Sequence, residues 1–410
     1  MTPEGEAKFK AFNAAVEEER ASIRHELGRV EAAAGKGIPR LPEALRAFVE
    51  AMMREFQSSM LKDSTIHTAR VLEAEEVMRR VLEMDEPALG SSHPDVAHDL
   101  QIIAGLRLGT SLPSDGREKF ARGALAIDEA RPQSAERDCA VARDLRTLAD
   151  LLNAARQATE AEPLARRAHR LLADVSGSEH RDTLAAGETL ALSLVALKRH
   201  DEAESFFQAA MAHAEAVFGK NHPAVAVRLG DIIACMSATG REAGTEPLLL
   251  RKLAIDEVAP REYDTNGAYD RAVVQDLYML SNLLMKLRRP MEAEPIMVRH
   301  IEKTEARYGD NWQICAGAIK RLADLLENTE RSDKSLTLHR RMLVVCLGEG
   351  RALAKSQAHP FLRQALKRYR TLLARWEGAE AFPRALEALM AECGMDESLK
   401  QRVRSLPDLR

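Results

Sequence analysis

Two groups of residues in this chain have the types and spacing to do chemistry. His93, Asp95 and His98 place imidazole and carboxylate donors within six positions, the material of a metal site. Glu75, Glu162, Glu204 and Glu294 offer carboxylates of the kind that serve in pairs as acid and base in glycosidases. Recurrence argues against both readings. Histidine returns in HRDTLAAGETLALSL from His180 and in HPAVAVRLGDIIACM from His222, and each of the four glutamates returns inside the same block, EAE. A residue that recurs with a structural period serves the structure, whereas a catalytic pair occurs once, so the histidines are expected to work between helices. Cys139, Cys235, Cys315, Cys346 and Cys393 are odd in number and include no C-x-x-C, so they define neither a disulfide framework nor a zinc site and are expected reduced and mostly buried. No phosphate-binding Gly-rich loop, G-x-S-x-G elbow or H-E-x-x-H pair is present. The expectation is a chain that is not an enzyme, with no catalytic residue, cofactor or metal.

The elements that carry these residues follow from the repeat. EAEEVMRRVL (73–82), EAEPLARRAH (160–169), EAESFFQAAM (202–211) and EAEPIMVRHI (292–301) align on their third residue, and weaker copies place Glu118, Glu246 and Leu336 there. Seven copies result, spaced 43, 44, 42, 42, 48 and 42 residues apart. Upstream of the block, Leu184, Leu190, Leu194 and Leu197 fall on one helical face, helix A, and Pro94 and Pro223 suit its first turn. After a short joint such as Lys198-Arg199-His200, Asp201 with Glu204 reads as an N-cap with its reciprocal acid, opening helix B. Pro163, Pro247 and Pro295 directly follow the block Glu and are expected within the first helical turn. The residue before that Glu is small in six copies (Ala74, Ala161, Ala203, Thr245, Ala293, Ser335), letting A and B approach closely; the exception is Arg117. One such unit cannot bury its own apolar stripe, so the copies must stack. Hydrophobic residues at 45%, aromatics at only 4% and few prolines agree with helix-on-helix packing by Leu, Ala, Ile, Val and Met. The expected class is all-α, a right-handed superhelical solenoid of antiparallel helix pairs with repeats of about 42 residues.

HRDTLAAGETLALSLVALKRHDEAE (180–204), FGKNHPAVA (218–226) and the recurrent EAEP resemble the tetratricopeptide repeats of kinesin light chains and their bacterial relatives, over residues 65–345. The resemblance implies a protein-binding scaffold that grips peptide segments in a concave groove or docks onto larger assemblies, with a tubulin-type cytoskeletal filament as one partner. The sequence departs from that family where it usually carries paired asparagines on helix A. Those positions read Ile102-Ile103, Arg146-Thr147, Glu188-Thr189, Gly230-Asp231, Tyr278-Met279 and Lys320-Arg321. Without amides to hold a peptide backbone, docking onto a folded surface gains weight over a peptide-cargo adaptor.

The boundaries are expected at 1–41 for an N-terminal amphipathic helix and linker, 42–345 for seven repeats, and 346–410 for a helical cap. Phe9, Val16, Ile23 and Val30 recur every seven residues in the first helix, which is expected to pack on the first repeat or, alternatively, to pair between chains. Gly35 to Pro42 breaks that helix. The start of the chain shows no signal-like apolar region, and the most apolar stretch, Leu190 to Leu197, is too short to span a bilayer, so a cytoplasmic protein is expected. The 48-residue spacing reflects an insertion within APREYDTNGAYDR (259–271), and Tyr263, Tyr269 and nearby Tyr278 are candidate partner contacts. Net charge is only −4, but residues 331–375 hold eleven Lys or Arg against Asp333 and Glu349. That asymmetry favours an acidic protein surface as partner. Within the window, Leu362, Leu366, Tyr369 and Leu373 form an inward face and leave Arg363, Lys367, Arg368 and Arg370 as docking candidates, with a cap expected to begin near His359-Pro360. Non-specific binding of RNA or other nucleic acid through this region is the alternative; no repeated polar code of the base-reading kind accompanies it.

Overall fold

In a computed structural model the described residues are 3–34, 41–58, 64–106, 116–259, 268–309, 311–329, 331–348, 360–378 and 380–406. All regular structure among them is helical: α1 (Pro3–Ala34), α2 (Leu41–Ser58), α3 (Ser64–Leu89), α4 (Pro94–Gly105), α5 (Arg117–Glu129), α6 (Ala135–Ala154), α7 (Ala158–Ser176), α8 (Arg181–Ala196) and α9 (His200–Phe218) come first. They are followed by α10 (Pro223–Ala238), α11 (Glu246–Val258), α12 (Ala268–Lys286), α13 (Pro290–Tyr308), α14 (Trp312–Asn328), α15 (Ser332–Leu347), α16 (Pro360–Glu377), α17 (Ala381–Glu392) and α18 (Glu397–Arg404). From α2 onward the helices alternate as A and B partners, and every block glutamate lies on a B helix, from Glu75 on α3 to Glu294 on α13. Helices α16 and α17 lie where the sequence places the two helices of the expected cap, and α18 follows them.

The chain forms two compact units, Met1–Leu248 with Val258–Ala268, and Leu249–Glu257 with Tyr269–Arg410. In the first, consecutive helices pack in sequence, α6 on α7, α7 on α8 and α8 on α9. Leu148, Leu152, Leu190, Leu194 and Phe207 form its central core, with Ala161 and Ala203 fully buried where A and B meet. At its start α1 packs on α2 and α3 of the same chain, burying Val16, Ile23 and Leu27 against Leu45, Val49 and Val77. Val30 is half-buried; the side chains of Phe9 and Phe12 lie outside the described residues, as do Gly35 to Arg40 of the expected linker. In the second unit α13, α14, α15 and α16 pack in succession. Met342, Leu343 and Leu347 of α15 and Leu362, Leu366, Tyr369 and Leu373 of α16 are buried.

The A–B joint is built the same way in successive copies. Arg156, Lys198 and Arg288 adopt φ of 61°, 62° and 59°, and Gly240 in the equivalent place has φ of 78°. This left-handed residue turns the chain so that the next N–H reaches back to the last helical turn: Arg199 N donates to Leu194 O at 2.8 Å, and Arg241 N to Met236 O at 2.9 Å. The N-caps of the B helices differ from expectation. α9 begins at His200, its N-cap Arg199 makes no side-chain capping bond, and Asp201 already lies inside the helix. Pro163 and Pro295 correspondingly sit two residues deeper than expected, inside α7 and α13, where each removes an intrahelical hydrogen bond. Pro247 does lie in the first turn of α11, preceded by a 3-10 turn over Glu242–Thr245.

Candidate functional site

The histidine of the repeated position caps its own helix, whereas His98 bonds Glu50 of α2 across helices, Nε2 to Oε1 at 3.0 Å. Nδ1 of His93, His180 and His222 each accepts the backbone N–H two residues on, from Asp95, Asp182 and Ala224, at 3.2 Å in every case. Their role is structural, as recurrence suggested, but it lies within one helix, not between helices. Among the described residues no group of three His, Cys, Asp or Glu is placed to hold a metal ion. Cys235, Cys315 and Cys346 are buried and all five thiols are free.

The block glutamates join successive copies. Glu162 pairs with Arg199 at 3.2 Å and Glu204 with Arg241 at 2.5 Å, in both cases the arginine that follows the left-handed residue of the next joint, and Glu294 pairs with Arg331. In the irregular second copy Arg117, buried where other copies carry a small residue, donates to Glu75 at 2.5 Å and to the Ile103 carbonyl. These carboxylates hold repeats together.

On the A helices of the first unit, Ile103, Thr147 and Thr189 of the positions expected for asparagines are buried, while Ile102, Arg146, Glu188, Gly230 and Asp231 are half-buried. In the second unit these positions form a site. Tyr278 of α12 is 40% exposed, and the Arg321 guanidinium of α14 lies 4.2 Å from its ring centroid. Arg321 Nη2 donates to Ser281 Oγ at 2.9 Å and to the Asn282 side-chain oxygen, while its Nη1 is buried without a hydrogen-bond partner. Burial lowers the Arg321 pKa, and no carboxylate among the described residues offsets it. Behind the ring, His300 of α13 lies 5.9 Å away; burial and then the Arg321 charge push it down to about 4, so it is neutral at pH 7. Tyr278 is a candidate partner contact from the sequence and Arg321 only a departure from the amide ladder, and nothing in their spacing announces that they stack.

The other candidates are dispersed. Tyr263 lies outside the described residues, and Tyr269 is half-buried near the start of α12. Arg363, Lys367, Arg368 and Arg370 are all exposed on α16, but Arg368 lies 3.7 Å from Glu327, which also contacts His339, and Arg370 lies 5.8 Å from the Phe382 ring centroid. Elsewhere in the basic window Arg331, Arg340 and Arg341 pair with Glu294, Glu392 and Glu305, acids from outside it. The local excess of positive charge is therefore smaller in space than along the sequence.

Residues 182–243 match the family model described as tetratricopeptide repeat. No curated protein matches the chain. Among solved structures, BtubC (BKLC) from P. vanneervenii is similar at 17% identity over 59% of this chain and 91% of that one, TM-score 0.46. Kinesin light chain TPR-like repeats from Podosopora anserina are similar at 21% identity over 54% and 98%, TM-score 0.41. Aspartyl phosphate phosphatase F from Bacillus subtilis is similar at 14% identity over 96% and 95%, TM-score 0.42. No function passes to this chain from likenesses at that level. The matched segment spans α8, α9 and α10, the helix pairing continues on both sides of it, and the chain is accordingly an all-helical repeat array that carries a tetratricopeptide repeat match at residues 182–243.

Proposed function

We propose that the chain is a non-catalytic protein-interaction scaffold of the cytoplasm whose second unit docks an acidic surface of a folded partner. The observation that carries this reading is Arg321, a half-buried cation with one N–H group lacking an acceptor, stacked on an exposed tyrosine. A carboxylate delivered by a partner supplies the missing acceptor, and a charge-assisted bond beside an aromatic ring is the kind of contact that dominates interfaces. The exposed Arg363, Lys367 and Arg370 of α16 add attraction that steers the same class of partner. A tubulin-type filament, suggested by the sequence resemblance, is the first candidate for such a surface.

The test is co-sedimentation of the full chain with tubulin-type filaments and, separately, with RNA. Arg363, Lys367 and Arg370 changed together to Glu, and Arg321→Gln, should each weaken filament binding while the helical spectrum is retained. Screening over about 8 Å at 0.15 M salt makes the α16 contribution fall as salt rises. RNA binding stronger than filament binding, abolished by the triple change, would move the reading to non-specific nucleic-acid binding.

A further inference from the structure

The fold builds one buried carboxylate pair three times and fills it twice. Counting ten residues from the block position gives Asp85, Asp128 and Asp256 on α3, α5 and α11, and each faces an aspartate of the next A helix, Asp99, Asp144 or Asp276; all six are buried. In the first copy Arg46 bridges the pair, its Nε on Asp99 Oδ1 and its Nη2 on Asp85 Oδ2, both at 2.7 Å. In the third copy Lys252 Nζ does so, at 2.7 Å from Asp276 Oδ1 and 2.8 Å from Asp256 Oδ2. In the middle copy Arg131 pairs with Asp128 at 2.7 Å, but no lysine or arginine among the described residues pairs with Asp144. Asp144 is 2% exposed and its Oδ2 has no hydrogen-bond partner. Oδ2 of Asp99 and of Asp276 is likewise without a donor, yet in those two the other oxygen rests on a cation.

Beside Asp144 is open space instead of a side chain: a cavity of about 260 Å³ between the N-terminal parts of α4 and α6, with the end of α5 behind it. Asp95 and His98 line it from α4, Asp128 and Arg131 from α5, and Glu136, Arg143 and Asp144 from α6. Four carboxyl groups against two guanidiniums leave it net negative even with a proton on one of the four. Lys252 precedes Asp256 by four residues, and the residue in that place before Asp128 is Ala124, which cannot reach the pair.

We infer that this cavity is a receptor for a basic side chain of a protein partner, whose ammonium or guanidinium group takes the place between Asp128 and Asp144 that Arg46 and Lys252 take in the other copies. The volume and the polar walls admit the terminal portion of a lysine or arginine, and the two filled copies show that this backbone accepts either head group. A divalent ion fits less well, because no third His, Cys, Asp or Glu completes a ligand set among the described residues. With the pocket empty, burial and then the neighbouring Asp128 push the Asp144 carboxyl up to about 8, so it holds a proton that an entering cation displaces.

The test is carboxyl 13C NMR of the full chain, with the Asp144 signal assigned from Asp144→Asn, titrated at pH 7 with N-acetyl-lysine methylamide and N-acetyl-arginine methylamide. The expected result is a saturable upshift of the Asp144 carboxyl as its proton leaves, with a dissociation constant on the order of 10 mM. Binding, followed in this variant at the Asp128 carboxyl, should be lost in Asp144→Asn. It should also be lost in Ala124→Lys, which supplies the ammonium internally and leaves both aspartates in place. No saturable shift, undiminished binding by either variant, or a response to Mg2+ or Ca2+ with none to the organic cations would each overturn the inference. The readout lies in the first unit and is independent of the Arg321 surface.

Discussion

Replacing Asp144 by Asn should remove one large component of the chain's pH-dependent stability. The wild-type carboxyl is raised from 3.8 to about 8, first by burial and then by the charge and hydrogen bond of Asp128. In the folded chain the Asp128–Asp144 pair therefore keeps a proton that the unfolded chain has released. A carboxyl raised on folding contributes stability that is complete below its unfolded pKa and is lost as pH rises towards its folded one. At roughly 1.4 kcal/mol per pH unit, moving from about pH 5 to about pH 8 removes about 4 kcal/mol through this group. Asn imitates the protonated acid, so the variant should match wild type at pH 5 and exceed it by about that amount at pH 8. Asp95, His98, Glu129, Arg131, Glu136 and Arg143 surround the same pair, and comparing two proteins that share them cancels most of their own titration. Urea unfolding followed by circular dichroism at a series of pH values measures the difference, and hydrogen exchange of α6 localises it. Parallel curves for the two proteins across that range would refute the assignment of a shared buried proton.

Lys252→Met should destabilise the second unit by about 3–5 kcal/mol near pH 8, because it leaves Asp256 and Asp276 buried without their cation; urea unfolding reads this, and a loss under about 1 kcal/mol would contradict it. Lys198→Gly relieves a left-handed conformation in the joint before α9 and should raise stability by up to about 1 kcal/mol, measured as a higher urea midpoint. Deleting residues 359–410 removes α16 and uncovers Met342, Leu343 and Leu347 of α15, so the truncated chain should self-associate in light scattering; a monodisperse, cooperatively unfolding product would contradict the capping role.

The repeat was legible because its period writes itself into the sequence: the EAE blocks and the small residue before each Glu located the B helices, and Pro94 and Pro223 marked A helices correctly. Helix starts were misread at Asp201 because the true joint is closed by a left-handed Lys198 and a backbone bond from Arg199, a device with no side-chain signature when Gly is absent. The charge window at 331–375 was read in one dimension, and Glu294, Glu305, Glu327 and Glu392 reach it only through the fold. Tyr278 and Arg321 stand 43 residues apart and meet because α12 and α14 are successive A helices. The open carboxylate pair had a usable signal, LAIDE at both 125–129 and 253–257. What the signal lacked was the cation: Arg46 reaches Asp99 across 53 residues, and the vacancy at Ala124 has meaning only once Lys252 is seen in its place.

The central claim, that the second unit docks an acidic protein surface, is tested most directly by the salt dependence of filament affinity in wild type and Arg321→Gln. Affinity for a tubulin-type filament should fall as ionic strength rises, and Arg321→Gln should weaken it about tenfold or more at every salt concentration, as loss of a desolvated charge-assisted contact requires. Equal affinities for the two proteins, or binding that does not respond to salt, would contradict the claim.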